Sequence, residues 1–170
     1  MNDSSVSLER LELDPVDLRI LAQLQEDASL SNQSLAEKVH VSSATCLRRV
    51  KRLAEAGLIE RQVAILSPER LGFGLTAIVE ITLDHQATEH LAAFEARAAA
   101  DASVQQCYRV SPGPDFVLIV QVADMAGYNA FAQRLLSLDA NVRNVRSFFS
   151  THRAKFGTQV VLPDTQGRAS

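Results

Sequence analysis

The first third of the chain carries apolar residues at helical spacing in three short segments. The first predicted helix has Asp14 as its N-cap and Pro15 at its first position, and it runs to about Asp27. Its apolar stripe comprises Leu13, Ile20, Leu21 and Leu24. Ser31 or Asn32 can cap a shorter second helix. These segments predict a small helical domain.

Ser42 caps a third predicted helix, and Gly57 ends it in the left-handed conformation. At about 100° per residue the helix divides into two faces. The face expected against the core comprises Cys46, Leu47, Val50, Leu53 and Ala54. The opposite face comprises Thr45, Arg48, Arg49 and Arg52. A short helix, a turn and a basic, well-capped helix are typical of a helix-turn-helix whose second helix enters the DNA major groove.

The pattern then changes. Alternation over 59–66 predicts a strand or a small two-stranded wing. Beyond it the chain predicts a strand at 75–83, a helix at 86–100, strands at 104–110 and 115–123, a helix at 125–138 and an extended segment from 142 to about 161. This order is the ferredoxin-like βαββαβ pattern. The predicted fold class is therefore α+β, with a (winged) helix-turn-helix domain preceding a ferredoxin-like domain.

The change of pattern also predicts the domain organisation. We expect a flexible arm at 1–12, a DNA-binding domain at 13–66, a linker at 67–74, a ferredoxin-like domain at 75–162 and a flexible tail at 163–170.

Charge restricts the function. The 170-residue chain has a formal net charge of −3, so DNA binding must depend on a local basic patch. The segment 38–53 supplies one, with five Lys or Arg and no acidic residue. A solvated helix face is the alternative interpretation of these charges.

Two distant cysteines, Cys46 and Cys107, and the lack of a long apolar run favour a reducing, cytoplasmic location. Cys46 is interpreted as a core residue rather than a redox sensor.

Catalytic patterns are missing from the sequence. The four histidines share no metal-ligand spacing, and no nucleophile–base pair or phosphate-binding glycine loop is present. We therefore expect no metal, no cofactor and no enzymatic activity.

Several motifs together resemble the Lrp/AsnC family of regulators, from Leu13 to about Pro163. They are LDPVDLRIL (13–21), SNQSLAEKVHVSSATCLRRVKRLAEAGLI (31–59), IVEITL (78–83), CYRVS (107–111), DFVLIVQVADMAGY (115–128) and NVRSFF (144–149). The resemblance implies a DNA-binding transcriptional regulator. Its αβ domain would dimerise, assemble further to tetramers or octamers, and bind a small molecule, typically an amino acid, between αβ domains.

The helix-turn-helix predicts which residues approach DNA. Residues near the start of the third helix are expected at base edges: Ser43, Ala44, Thr45 and Arg48. Arg48 can pair with a guanine, and Ala44 can touch a thymine methyl. The remaining expected contacts are to phosphates: Ser31, Asn32, Gln33, Arg49, Lys51 and Arg52.

The resemblance implies an effector site formed by Gly113, Asp115, Met125, Phe148, Phe149 and Ser150. Where family members commonly have Gly-acidic-aromatic-Asp-aromatic, this chain has Pro112-Gly113-Pro114-Asp115-Phe116. Asp115 can alternatively be only a turn cap. An effector-independent architectural DNA-binding protein is therefore the alternative function.

Overall fold

The computed structural model of the chain describes residues 12–137 and 139–163, which form two compact units. Among the described residues, one unit holds 12–65 and 156–163, and the other lies within Leu66–Lys155. The predicted arm and tail lie outside the described residues, apart from Glu12 and Pro163.

Three helices build the first unit: α1 (Pro15–Glu26), α2 (Asn32–Val39) and α3 (Ser43–Glu55). The predicted caps of α1 and α3 are confirmed. Asp14 accepts hydrogen bonds from the amides of Val16 and Asp17, both at 2.9 Å. The Asp17 carboxylate in turn accepts from the Asp14 amide at 3.1 Å, which completes a capping box. Ser42 accepts from the Thr45 amide at 3.2 Å. Gly57, at φ +73°, follows the end of α3.

The three helices enclose a small apolar core, whose buried members are Ile20, Leu21, Leu35, Ala36, Val39, Cys46 and Leu53. Two predictions about α3 are wrong, because Leu47 and Ala54 are exposed rather than buried. Arg49, predicted on the outer face, is instead half-buried. Ion pairs with α1 hold Arg49 inward, so the helix presents a face rotated from the one that apolar spacing alone predicts.

The second unit contains a four-stranded antiparallel sheet. Its strands are β1 (Leu75–Leu83), β2 (Val104–Arg109), β3 (Phe116–Val122) and β4 (Val142–Phe149), in the order β2-β3-β1-β4. With α4 (Thr88–Ala100) after β1 and α5 (Met125–Ala132) after β3, the predicted βαββαβ order is confirmed.

Alternate strand residues pack against the two helices of this unit. The buried side chains of the two central strands are Ala77, Val79, Ile81, Leu83, Phe116, Leu118, Val120 and Val122. Phe94 from α4 and Phe131 from α5 belong to the same core. Beyond α5 the helix continues as a π-helix over Gln133–Ser137 rather than as the predicted α-helix, and Leu138 lies outside the described residues.

The strand predicted over 59–66 does not form, and this prediction is wrong. No residue of this segment pairs in a strand ladder with another described residue. Val63, Ile65 and Leu66 are 65%, 61% and 67% exposed. Alternation predicts which side chains would share a face, but a strand also needs a partner for its backbone groups.

The sequence predicts an extended segment from 142 to about 161, but the strand and its ladder pairing end at Phe149. Residues 156–163 belong to the first unit, whereas the sequence predicts a second domain that runs to 162. The Gln25 side chain on α1 accepts from the Val160 amide at 2.6 Å and donates to the Val160 carbonyl at 3.1 Å. Leu162 packs against the helical core. The first unit is therefore built from both ends of the described chain.

Candidate nucleic-acid interface and effector region

The start of α3 is fixed relative to α2 by local hydrogen bonds. Ser31 caps α2 by accepting from the Ser34 amide at 3.1 Å. His40 ends α2 in the left-handed conformation, at φ 58° and ψ 51°, which turns the chain toward α3. The Asn32 side-chain amide donates to the Ser43 carbonyl at 2.9 Å. These contacts hold the N-terminal end of α3, which a helix-turn-helix presents to base edges.

One face of α3 is exposed over its whole length. We call its first four exposed positions after the N-terminal residue the outward strip: Ala44, Leu47, Arg48 and Lys51. In the part of the chain that the structure describes, the Arg48 side chain has no hydrogen bond or ion pair. Lys51 is 74% exposed and lies 3.7 Å from the Glu55 carboxylate. Both cations are thus available to a polyanion.

The other two arginines of α3 contact a buried carboxylate on α1. Asp17 is fully buried. Its side chain lies 2.8 Å from Arg49 Nη1 and 2.5 Å from Arg52 Nη2. Arg49 also binds Asp14 at 2.6 Å. Together with the Asp14 amide, these bonds provide several donors for the buried Asp17 carboxylate, as a buried charge requires.

The carboxylate contacts change the pKa values of their partners. The hydrogen bonds to Asp14 and Asp17 raise the pKa of Arg49, which keeps this guanidinium charged. Burial raises the pKa of Asp14, but the bonds from the Asp17 amide and from Arg49 outweigh it, and the pKa lies below the ordinary value. This charge cluster stabilises the packing of α1 against α3.

The structure therefore divides the ten predicted DNA contacts. Ser31, Gln33, Ser43, Ala44, Arg48 and Lys51 are exposed. Asn32 and Thr45 are half-buried, and Asn32 is engaged with α3. Arg49 is 20% exposed at its side chain, whereas Arg52 is 44% exposed. Arg49 is thus directed into the fold, and Arg52 lies at the edge of the outward face.

Sequence reasoning missed Asp17. A signal was present, because Asp17 lies at helical spacing within the stripe formed by Leu13, Ile20 and Leu24. An acidic residue in an apolar stripe needs a partner when it is buried. The basic face of α3 supplies that partner.

Two of the implied effector residues lie at one end of the sheet. Gly113, at φ +123°, is in the turn before β3. The Asp115 carboxylate accepts from the Leu83 amide at 2.7 Å and from the Gln86 side-chain amide at 3.3 Å. Asp115 thus joins the start of β3 to the end of β1, which is the contact expected of the turn-cap interpretation.

The other four implied residues lie at the opposite end of the sheet. Phe149 pairs with Ala77 of β1, and the Ser150 amide donates to the Thr76 carbonyl. Met125, Phe148 and Phe149 are 48%, 45% and 38% exposed. About six strand residues, or roughly 20 Å, separate this end of β1 from Leu83. One copy of the chain therefore does not bring all six residues together.

Replacing Asp115 with alanine is expected to lower the free energy of unfolding by about 1–3 kcal/mol, because the Leu83 amide loses its acceptor in a buried position. Urea unfolding followed by far-UV circular dichroism measures the loss. Asp84→Ala is the matched control, since this exposed neighbour has no such role. Equal stability of the two variants would contradict a structural role for Asp115.

Two further findings concern the described residues only. Among them, no group of three or more His, Cys, Asp or Glu side chains is placed to hold a metal ion. No helix in residues 12–137 and 139–163 is long and apolar enough to cross a membrane.

Family comparisons match both units. A family described as winged helix-turn-helix DNA-binding matches residues 13–60. A second, described as the Lrp/AsnC ligand binding domain, matches residues 76–160.

Individual relatives match over most of their length. The chain is 38% identical to a leucine-responsive regulatory protein of Rhizobium meliloti, over 90% of this chain and 98% of the relative. It is 36% identical to the DNA-binding transcriptional activator DecR of Escherichia coli, over 88% and 99%. A transcriptional regulator from Neisseria meningitidis, solved as a complex with L-Met, superposes with a TM-score of 0.83 at 31% identity, over 88% of this chain and 97% of that one.

Proposed function

Because the chain belongs to the Lrp/AsnC family and is a DNA-binding transcriptional regulator, we propose that it binds promoter DNA as a dimer or higher assembly. In this proposal an amino acid changes the fraction of the promoter DNA that is bound. The DNA-binding part of this proposal is supported by the outward strip of α3, on which Arg48 is unpaired among the described residues. The L-Met complex of the Neisseria meningitidis relative supports an amino acid as the effector class.

The proposed dimer interface is the face of the sheet opposite to α4 and α5. Ile78 and Phe148, which pair across β1 and β4, are 39% and 45% exposed on it. Val117 and Ile119 of β3 lie on the same face and are half-buried. These apolar side chains on one face of the sheet support association at this face. A symmetric dimer would place two α3 helices about one DNA turn, roughly 34 Å, apart on a pseudo-palindromic site.

Replacing Ile78 with aspartate is expected to convert the dimer or higher assembly into monomers, because a charge would be buried without a partner in the interface. Light scattering coupled to size exclusion measures the mass. Leu58→Asp is the matched control, since Leu58 is 45% exposed in the other unit. An unchanged mass in Ile78→Asp would refute this interface.

We propose that the effector site is completed between copies of the chain. The end of the sheet with Met125, Phe148 and Phe149 offers exposed apolar side chains. The opposite end offers the Asp115 carboxylate and the Gly113 backbone. An amino acid needs both apolar contacts and polar partners, and a neighbouring copy can supply the set that one chain lacks. The amino acid would then favour one assembly over another, and DNA would change its affinity to the same degree.

The test is fluorescence anisotropy of the protein on its own upstream DNA and on random DNA of equal length. Two salt concentrations separate phosphate attraction from base recognition. Each titration is repeated with L-Met and with a mixture of amino acids. The proposal is supported if the protein binds upstream DNA more tightly than random DNA and an amino acid changes this difference in affinity. A difference in affinity that no amino acid changes would refute the proposed amino-acid effector.

An effector-independent architectural protein is the second candidate. The engagement of Asp115 with Leu83 and Gln86 favours it, because that carboxylate already has partners inside the fold. Tight, unselective and steeply salt-dependent binding that ignores amino acids is its expected signature.

A further inference from the structure

Leu47 lies on the solvent-exposed face of α3. It is 60% exposed on α3, and it is not among the residues that pack against the helical core. The buried side of α3 is filled by Cys46 and Leu53, with Val50 packed beside them. Among the described residues of the first unit, this side chain therefore does not belong to the helical core.

The position of Leu47 on the helix indicates what it faces. At about 100° per residue, the four residues of the outward strip lie within about 100° of one another. Leu47 is adjacent to Arg48, and Ala44 lies one turn before both. Arg49 and Arg52 bind Asp17. The centre of this face therefore combines Arg48, which has no hydrogen bond or ion pair among the described residues, with an apolar surface rather than a continuous row of cations.

The chemistry of the major groove supplies one apolar partner for such a surface. The C5 methyl of thymine is the apolar group on the base edges there, whereas guanine presents the two acceptors that suit an arginine. We propose that Leu47 is a specificity-determining residue that packs against the C5 methyl of a thymine next to the base contacted by Arg48. This inference rests on the proposed DNA-binding function. Ala44, with a shorter side chain, extends the same apolar surface.

The experiment uses duplexes that the full-length protein selects from a random pool. In the selected site each thymine is replaced in turn by uracil, which lacks only the methyl group. For the wild type we expect one position per half-site at which the loss of the methyl weakens binding about fourfold, the effect of removing one buried carbon. Leu47→Ala is expected to bind the thymine and uracil duplexes equally at that position.

Leu58→Ala is the matched control, because Leu58 is an exposed leucine of the same unit that follows the end of α3. It should keep the methyl response of the wild type. Leu47→Ala is expected to fold, since alanine at an exposed helical position is favourable. A methyl response in Leu47→Ala equal to that of the wild type would overturn the inference, even if the variant changes its assembly mass. A pool with no selected sequence would instead refute the sequence-specific binding on which the inference rests.

Discussion

Replacing Asp17 with alanine is expected to cost the DNA-binding unit about 3–5 kcal/mol of its free energy of unfolding, enough to unfold a small helical unit. Asp17 is fully buried and binds Arg49 and Arg52 of α3. Its removal leaves Arg49, with 20% of its side chain exposed, without its most buried acceptor. It also removes the acceptor for the Asp14 amide at the start of α1.

The measurement is urea unfolding followed by far-UV circular dichroism, because the chain contains no tryptophan to report on the helices. Glu26→Ala is the matched control, since this exposed acid lies in the last turn of the same helix. We expect Glu26→Ala to change stability by less than about 0.5 kcal/mol. A loss for Asp17→Ala as small as that of the control would contradict the ion-pair account.

Measuring Asp17→Ala in a variant that lacks Arg49 separates the contribution of charge to stability from that of packing. Replacing Arg49 with methionine removes one half-buried charge while keeping an unbranched side chain in its place. Asp17→Ala should cost less in that background, because one guanidinium is no longer left without its carboxylate. Equal costs in the two backgrounds would mean that the loss comes from packing or from the capping box of α1.

The contacts of Asp17 also explain which parts of the fold could be predicted from sequence. The caps at Asp14 and Ser42 are local, since donor and acceptor lie within three residues, and both predictions are confirmed. The orientation of α3 is set by residues about 35 positions away on α1, so apolar spacing alone gave a wrong face for Leu47. A local pattern contains no information about a distant carboxylate.

The same limit applies to the strands and to the effector residues. The strands of the αβ unit could be predicted because alternation matches a buried face on β1 and β3. The segment 59–66 alternates equally well, but pairs with no described strand. The effector residues implied by family resemblance fall at two ends of one sheet. Only the strand pairing, which joins residues far apart in sequence, reveals that separation.

Replacing Arg48 with alanine is expected to reduce discrimination between a selected site and random DNA by about 1–3 kcal/mol. The exposed Arg48 side chain has no partner among the described residues, so it can present both nitrogens of its fork to a guanine. The loss should fall on the specific complex, because random DNA offers this arginine no fixed base partner.

Lys51→Ala is the comparison that separates base contacts from phosphate contacts. Lys51 is 74% exposed on the same strip, one turn further along α3. If Lys51 contacts a phosphate, its removal should weaken binding to both duplexes equally. The magnitude of the slope of log K against log salt concentration should then fall by about 1. Anisotropy titrations on selected and random duplexes at several salt concentrations measure both quantities for both variants. If Arg48→Ala weakens the two duplexes equally and lowers the salt slope as Lys51→Ala does, Arg48 contacts a phosphate, and specificity depends on other residues of α3.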